Sequence, residues 1–133
     1  MTENGLITLP SAHGAKETMD RLAAEVKAKG MTVFARIDHA AGAKEVGMPL
    51  RPTELLIFGY ARGGTPLMQA NQTIGIDLPL KALVWEDAGG KAWLSYNELA
   101  WLARRHGEGA GVSEVTDRLA AALAALAKAA TGM

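Results

Sequence analysis

The chain has 133 residues, no cysteine, and 14 basic against 14 acidic residues for a formal net charge of zero. That length gives one domain able to bury its own core. The charge balance removes the broad positive field that draws proteins onto nucleic acid, and the missing thiols exclude disulfides, thiolate nucleophiles and cysteine-ligated metals.

Residues 1–14 lack the basic and long apolar stretches of a signal peptide, and no apolar run approaches the roughly 20 residues of a membrane helix. A cytoplasmic protein is expected, with no nucleic-acid or membrane partner. Residues 5–10, GLITLP, form an apolar run stopped by Pro10 and read as a strand. Ser11 stands where an N-cap belongs, ahead of a helix in which Met19, Leu22 and Val26 recur at helical spacing and Gly30 marks the stop. Residues 31–38, MTVFARID, alternate Val33, Ala35 and Ile37 with Thr32, Phe34 and Arg36, the period of a strand. Bulk on both of its faces predicts a central strand.

The small residues of HAAGAKEVGM predict a short helix or turn ended by Gly47 and Pro49, and TELLIFGY is the strongest strand signal of the chain. Residues 61–79 are the least regular, and a loop holding a helix from about 65 to 71 is expected. LKALVWED and KAWLSYN flank AGG as a β-hairpin that makes Trp85 and Trp93 cross-strand neighbours. A short helix ending at Gly107 follows. The last helix has Ser113 as its expected N-cap, Glu114 and Asp117 near its positive end, Lys128 near its negative end, and an apolar stripe of Val115, Leu119, Leu123 and Leu126. This order predicts an α+β two-layer sandwich, an antiparallel sheet with helices on one face.

The phrases FARIDHAAGAKEVGMPLRPTELLIFG, GTPLMQANQTIGIDLPLKALVWED and WLSYNELAWLARRHG resemble the family catalogued as domain of unknown function 302. The resemblance implies a β-α-β(4)-α arrangement of the TATA-binding-protein-like class, with a helix across a curved antiparallel sheet, and a homodimer. It brings no reaction. It runs from about Gly5 to Gly107, and residues 1–107 are expected to form the family-like domain, leaving 108–133 as a C-terminal helical extension on the same domain or on a dimer partner. The chain departs from the family pattern after LLIFG, where Tyr60, Ala61 and Arg62 replace an Asn-Pro step.

Candidate chemistry centres on RIDH. In a strand Arg36 and Asp38 face one side and Ile37 and His39 the other. His39 is the foremost general base or haem ligand of the sequence, and helix capping is its structural alternative. A small-molecule or cofactor site is expected near it, lined by Glu54 and Asn71 with Phe58, Pro66, Leu67 and Met68 as apolar wall. Thioethers beside a histidine would suit haem. The enzymatic alternative uses His39 as acid/base with Asp38 or Asp77 as its orienter, and a purely structural or interaction role is the third reading. The QANQTIGID run offers polar side chains for a ligand or for its own loop, and ARGGTP has the glycines of an anion-binding loop without a Walker ending. His106 reads as a helix C-cap and His13 as surface. No metal site is expected, since no two histidines share a helical turn.

Overall fold

Strand-like alternation and helix-like spacing set out the elements in the predicted order. The computed structural model, which describes residues 4–107 and 112–132, runs β1 (Leu6–Pro10), α1 (Ala15–Ala28), β2 (Thr32–Asp38), α2 (His39–Glu45), β3 (Thr53–Gly59), α3 (Ala61–Ala70), a 3-10 segment (Gln72–Asp77), β4 (Leu80–Glu86), β5 (Ala92–Asn97), α4 (Leu99–Arg105) and α5 (Ser113–Thr131). The strands form one antiparallel sheet in the order β1-β5-β4-β3-β2. The α+β class is as predicted, and α2 and α3 are short helices inserted between the strands of the β-α-β(4)-α order.

Register decides which side chains become core. Leu56 stands opposite Ala82 and Phe58 opposite Leu80, while Tyr96 and Leu94 continue that face onto β5. All six are buried. From this side α1 lies across β2 to β5, with Met19, Leu22 and Val26 facing the sheet side of the core at 0–1% exposure, and α5 packs on α1 and β5 through Leu119, Leu123, Leu126 and Ala130. Helix α5 therefore shares the core of the strands before it. Its last carbonyls are held by α1 and the loop before it: Arg21 donates to Ala129 and Ala130, the His13 ring to Gly132 at 2.5 Å, and the Ala12 amide to Thr131. Cationic and N–H donors at a helix C-terminus satisfy carbonyls that have no partner within the helix.

The alternate side chains point away from the helices. Leu6 and Ile37 are exposed, and Leu55, Ile57, Leu83, Trp85 and Trp93 are half-buried. The two indoles stack across β4 and β5 with centroids 6.0 Å apart, the neighbour relation the hairpin predicts.

Several local expectations are corrected. Strand β2 lies at the edge of the sheet, not in its middle. Its bulk on two faces arises because one face meets α1 and the other meets no helix, and its register slips at Phe34. Ser11 does not cap α1. Gly14 occupies the cap position, and the Ser11 hydroxyl instead bonds to the Thr18 hydroxyl and accepts from the His13 amide. Helix α3 begins at Ala61, four residues earlier than predicted, so ARGGTP is helical rather than an anion-binding loop. Ser113 is the first residue of α5, after Val112 as cap. His13 is no free surface histidine, since its Nδ1 also meets Glu17 at 2.8 Å. Trp101 covers Gly5, whose φ of 75° and missing Cβ admit the indole; a Cβ there would stand 2.5 Å from the ring.

The β4–β5 turn is held by one carboxylate. Asp87 accepts from the Trp93 indole and from the Gly89 and Lys91 amides. The Trp93 bond first, then the Lys91 amide, hold its carboxyl below the usual carboxylate value. A depressed carboxyl contributes stability that is present above the unfolded-state value of about 4 and is lost as pH falls through the lower folded value. Asp87→Asn is therefore expected to flatten the fall of stability below about pH 4, measured by urea unfolding across that range.

Candidate functional site

An apolar cavity opens where β3 runs out. Gly59 and Leu80 are buried at the facing ends of β3 and β4, and with Leu119 of α5 they line the cavity together with Gly64 and Met68 of α3 and with Gly75, Leu78 and Pro79 of the chain leading to β4. Phe34 and Tyr60, 56% and 42% exposed, stand beside it as partly exposed aromatics. The volume is about 250 Å³ and the lining is predominantly apolar, with the Tyr60 and Thr65 hydroxyls as side-chain polar groups. An apolar void of about 150 Å³ already suffices to bind benzene, so this one suits a compact bicyclic or branched molecule.

Two glycines shape the wall. A Cβ on Gly63 would stand 3.0 Å from Leu119 and 3.2 Å from the Tyr60 ring, so glycine lets α3 approach α5 closely. Gly64 faces the void, where a Cβ would make ordinary contacts of 3.6 and 3.8 Å with Leu78 and Met68.

A polar clasp holds the far wall. The His106 ring bonds through Nε2 to Asp77 at 2.5 Å and through Nδ1 to the Thr73 hydroxyl at 2.8 Å. Arg105 donates to both oxygens of Asp77 at 3.0 Å, and the Asn71 amide donates to the His106 carbonyl. Hydroxyl, imidazole and carboxylate stand in a row, the order of a nucleophile and its base. The Thr73 hydroxyl, however, donates to Asn71 Oδ1, and the adjoining cleft of about 10 Å³ has room for a water at most. The cluster pins the 3-10 segment to the end of α4.

The RIDH end is a separate place. Asp38 accepts from the Ala41 amide and caps α2, and His39, first residue of that helix, faces solvent. Arg36 forks onto Glu54 at 2.6 and 3.2 Å and reaches Asp20 at 2.8 Å. Glu54 chiefly, and Asp20 with it, raise the Arg36 pKa; Lys16 first and Arg36 second lower that of Asp20. These charges satisfy one another beside an open groove.

The predicted site residues are thus dispersed. Asp38 pairs with Glu54 at one end of β3, whereas Asp77 precedes Leu80, the partner of Phe58 near the other. Four residues of strand, about 13 Å, separate the two ends. Asp77 meets His106 and Arg105, and His39 joins neither aspartate in a relay. Phe58 and Leu67 are core, Pro66 borders a shallow groove of α3, and Asn71 belongs to the clasp. Of the expected apolar wall only Met68 reaches the cavity. Sequence reasoning missed Phe34, Tyr60, Leu78 and Leu119; the Tyr60-Ala61-Arg62 departure was the available signal. Among the described residues no group of three or more histidines, aspartates or glutamates could hold a metal ion, and no helix is long and apolar enough to cross a membrane.

These features define an α+β protein with an apolar pocket at the end of its sheet. The chain belongs to the family described as Domain of unknown function DUF302, which it matches over residues 7–126, reaching into α5 beyond the stretch that carries the sequence resemblance. A crystal structure of an uncharacterized conserved DUF302 protein from Bacillus stearothermophilus superposes with a TM-score of 0.83 at 20% identity, covering 95% of this chain and 98% of that one. The chain is also 56% identical over 107 residues to proteins named Fluoride-specific ion channel FluC 1 from Brucella suis and from Brucella abortus. The match covers 80% of this chain but only 42% and 40% of theirs.

Two outcomes test the local geometry. Gly64→Ala is expected to raise stability by about 0.5–1 kcal/mol through helix propensity, read as a higher thermal midpoint. His106→Ala, which removes a nearly buried partner of Asp77, is expected to lower stability by about 1–3 kcal/mol in urea unfolding.

Proposed function

We propose that this chain binds a compact, largely apolar small molecule in the cavity between β3, α3, the 3-10 segment and α5. The observation that carries the reading is the cavity itself: about 250 Å³, predominantly apolar in lining, with two partly exposed aromatic side chains beside it. Apolar walls with a few polar groups are the usual make-up of small-molecule sites, which mostly measure about 300–1,000 Å³. At about 250 Å³ this one falls just below that range. A haem bound here would have Met68 and Tyr60 beside it and not His39, which lies beyond the other end of β2 from Phe34. The channel activity named for the longer relatives concerns proteins of which this chain spans about two fifths, and the ligand reading stands on the cavity alone.

The test is thermal unfolding with a panel of small probes, indole and benzene first and hemin as the large contrast. Indole is expected to raise the midpoint by mass action, and hemin to leave it unchanged. Gly64→Leu, which places a side chain in the void, is expected to abolish the indole shift while Gly64→Ala retains part of it. A panel without any shift, or an indole shift untouched by Gly64→Leu, would overturn the assignment.

A further inference from the structure

Helix α3 has the cavity on its inner side and a shallow open groove on its outer side, and Ala61 and Thr65 belong to both. The groove continues over Arg62, Pro66 and Gln69. A molecule seated in the cavity that extends past the Thr65 hydroxyl therefore comes onto ground held by the Arg62 side chain.

That side chain is uncommitted. Arg21, Arg36, Arg51, Arg105 and Arg118 each donate to a carbonyl or a carboxylate. Among the described residues Arg62 and Arg104 have side chains with no such partner, and of these two only Arg62 borders the groove that adjoins the cavity. From the β4 side the half-buried Lys81 brings a second cation. Its ammonium lies 3.1 Å from the carbonyl of Pro79, a wall residue, and 3.4 Å from that of Asp77. Carbonyls hydrogen-bond an ammonium without cancelling its charge. No carboxylate offsets the two cations either. Neither cavity nor groove is lined by an acidic residue, α3 has none in its first turn, and the Asp77 carboxylate is occupied by Arg105 and His106. An apolar hole with cations at its lip discriminates by charge as well as by shape.

We propose that the ligand is an amphipathic anion, a compact aromatic or branched carboxylate whose apolar body fills the cavity and whose carboxylate faces Arg62. The inference rests on the cavity reading above and adds the charge of the ligand to it. The ring would lie against Gly64, Met68 and Leu119, while the carboxylate stays toward solvent beside the partly exposed Tyr60. An ion left at the mouth escapes the cost of burying a charge. A guanidinium meets a carboxylate through two parallel N–H donors, whereas Lys81 contributes a point charge. A cation of the same shape would be repelled.

Thermal unfolding with indole, indole-3-acetate and tryptamine tests this, because the three share one ring system and carry no charge, a negative charge and a positive charge at neutral pH. At low salt indole-3-acetate is expected to bind roughly threefold to tenfold more tightly than indole, and tryptamine more weakly than either. Molar salt is expected to narrow the differences, since exposed charges are then screened. Arg62→Gln, at an exposed position, is expected to remove most of the acetate's advantage, and Arg62→Lys to keep part of it. Gly64→Leu is expected to abolish binding of all three. Indole binding without preference for the acetate, or a preference untouched by Arg62→Gln, would overturn the anion and leave the cavity reading standing. Indole-3-acetate binding that survives Gly64→Leu would also overturn it, as the anion would then sit on the surface alone. No shift with any of the three would overturn both readings.

Discussion

Register between β3 and β4 is the constraint from which the rest of the molecule follows. With Leu56 against Ala82 and Phe58 against Leu80, every second residue of two strands is committed to the helix side. A slip of one residue would send Phe58 outward and Ile57 inward, and exchange all the faces at once. The core of α1 and α5 side chains is built to fit one of those alternatives: Met19, Leu22, Val26 and Leu126 are almost wholly hidden against it. The helices thus read the register as much as they cover it.

The cavity is a by-product of the same alignment. Strands β3 and β4 end together at Phe58 and Leu80, and the chain leaves β3 through buried Gly59 into α3. Helix α3 is thin where it meets α5, at Gly63, and thin again where it faces Leu78, at Gly64. Glycine where larger residues would fill space leaves a void. The wall opposite has little core of its own, since Ile74 is the buried residue of the 3-10 segment, and its position depends on the Asp77, His106 and Arg105 bonds to α4. Packing forms one side of the pocket and electrostatics the other.

Most of the fold was legible from the chain because the short apolar runs in TELLIFGY and LKALVWED and the helical spacing of Met19, Leu22 and Val26 are local signals. Sheet position was not. The sequence of β2 shows apolar bulk on both faces, and a sequence cannot say whether the second face meets a helix or nothing. The start of α3 was hidden by Gly63, Gly64 and Pro66, residues of poor helix propensity that tertiary contacts carry into a helix. The site was the least legible part. RIDH drew attention by residue type, yet Asp38 serves as a cap and Arg36 is occupied by Glu54 and Asp20. An apolar cavity carries no such chemical signature, and its walls come from β2, α3, β4 and α5, brought together only by the completed fold.

The two edges of the sheet have their own consequence. An exposed edge strand presents unpaired amides and carbonyls to which another strand can add without limit. Strand β1 ends in Pro10, which has no N–H to offer, and β2 breaks step at Phe34 and carries the charged Arg36 and Asp38. Both rims are thereby made poor templates, while the flat side between them stays apolar. Growth sideways into a ribbon is discouraged at both rims.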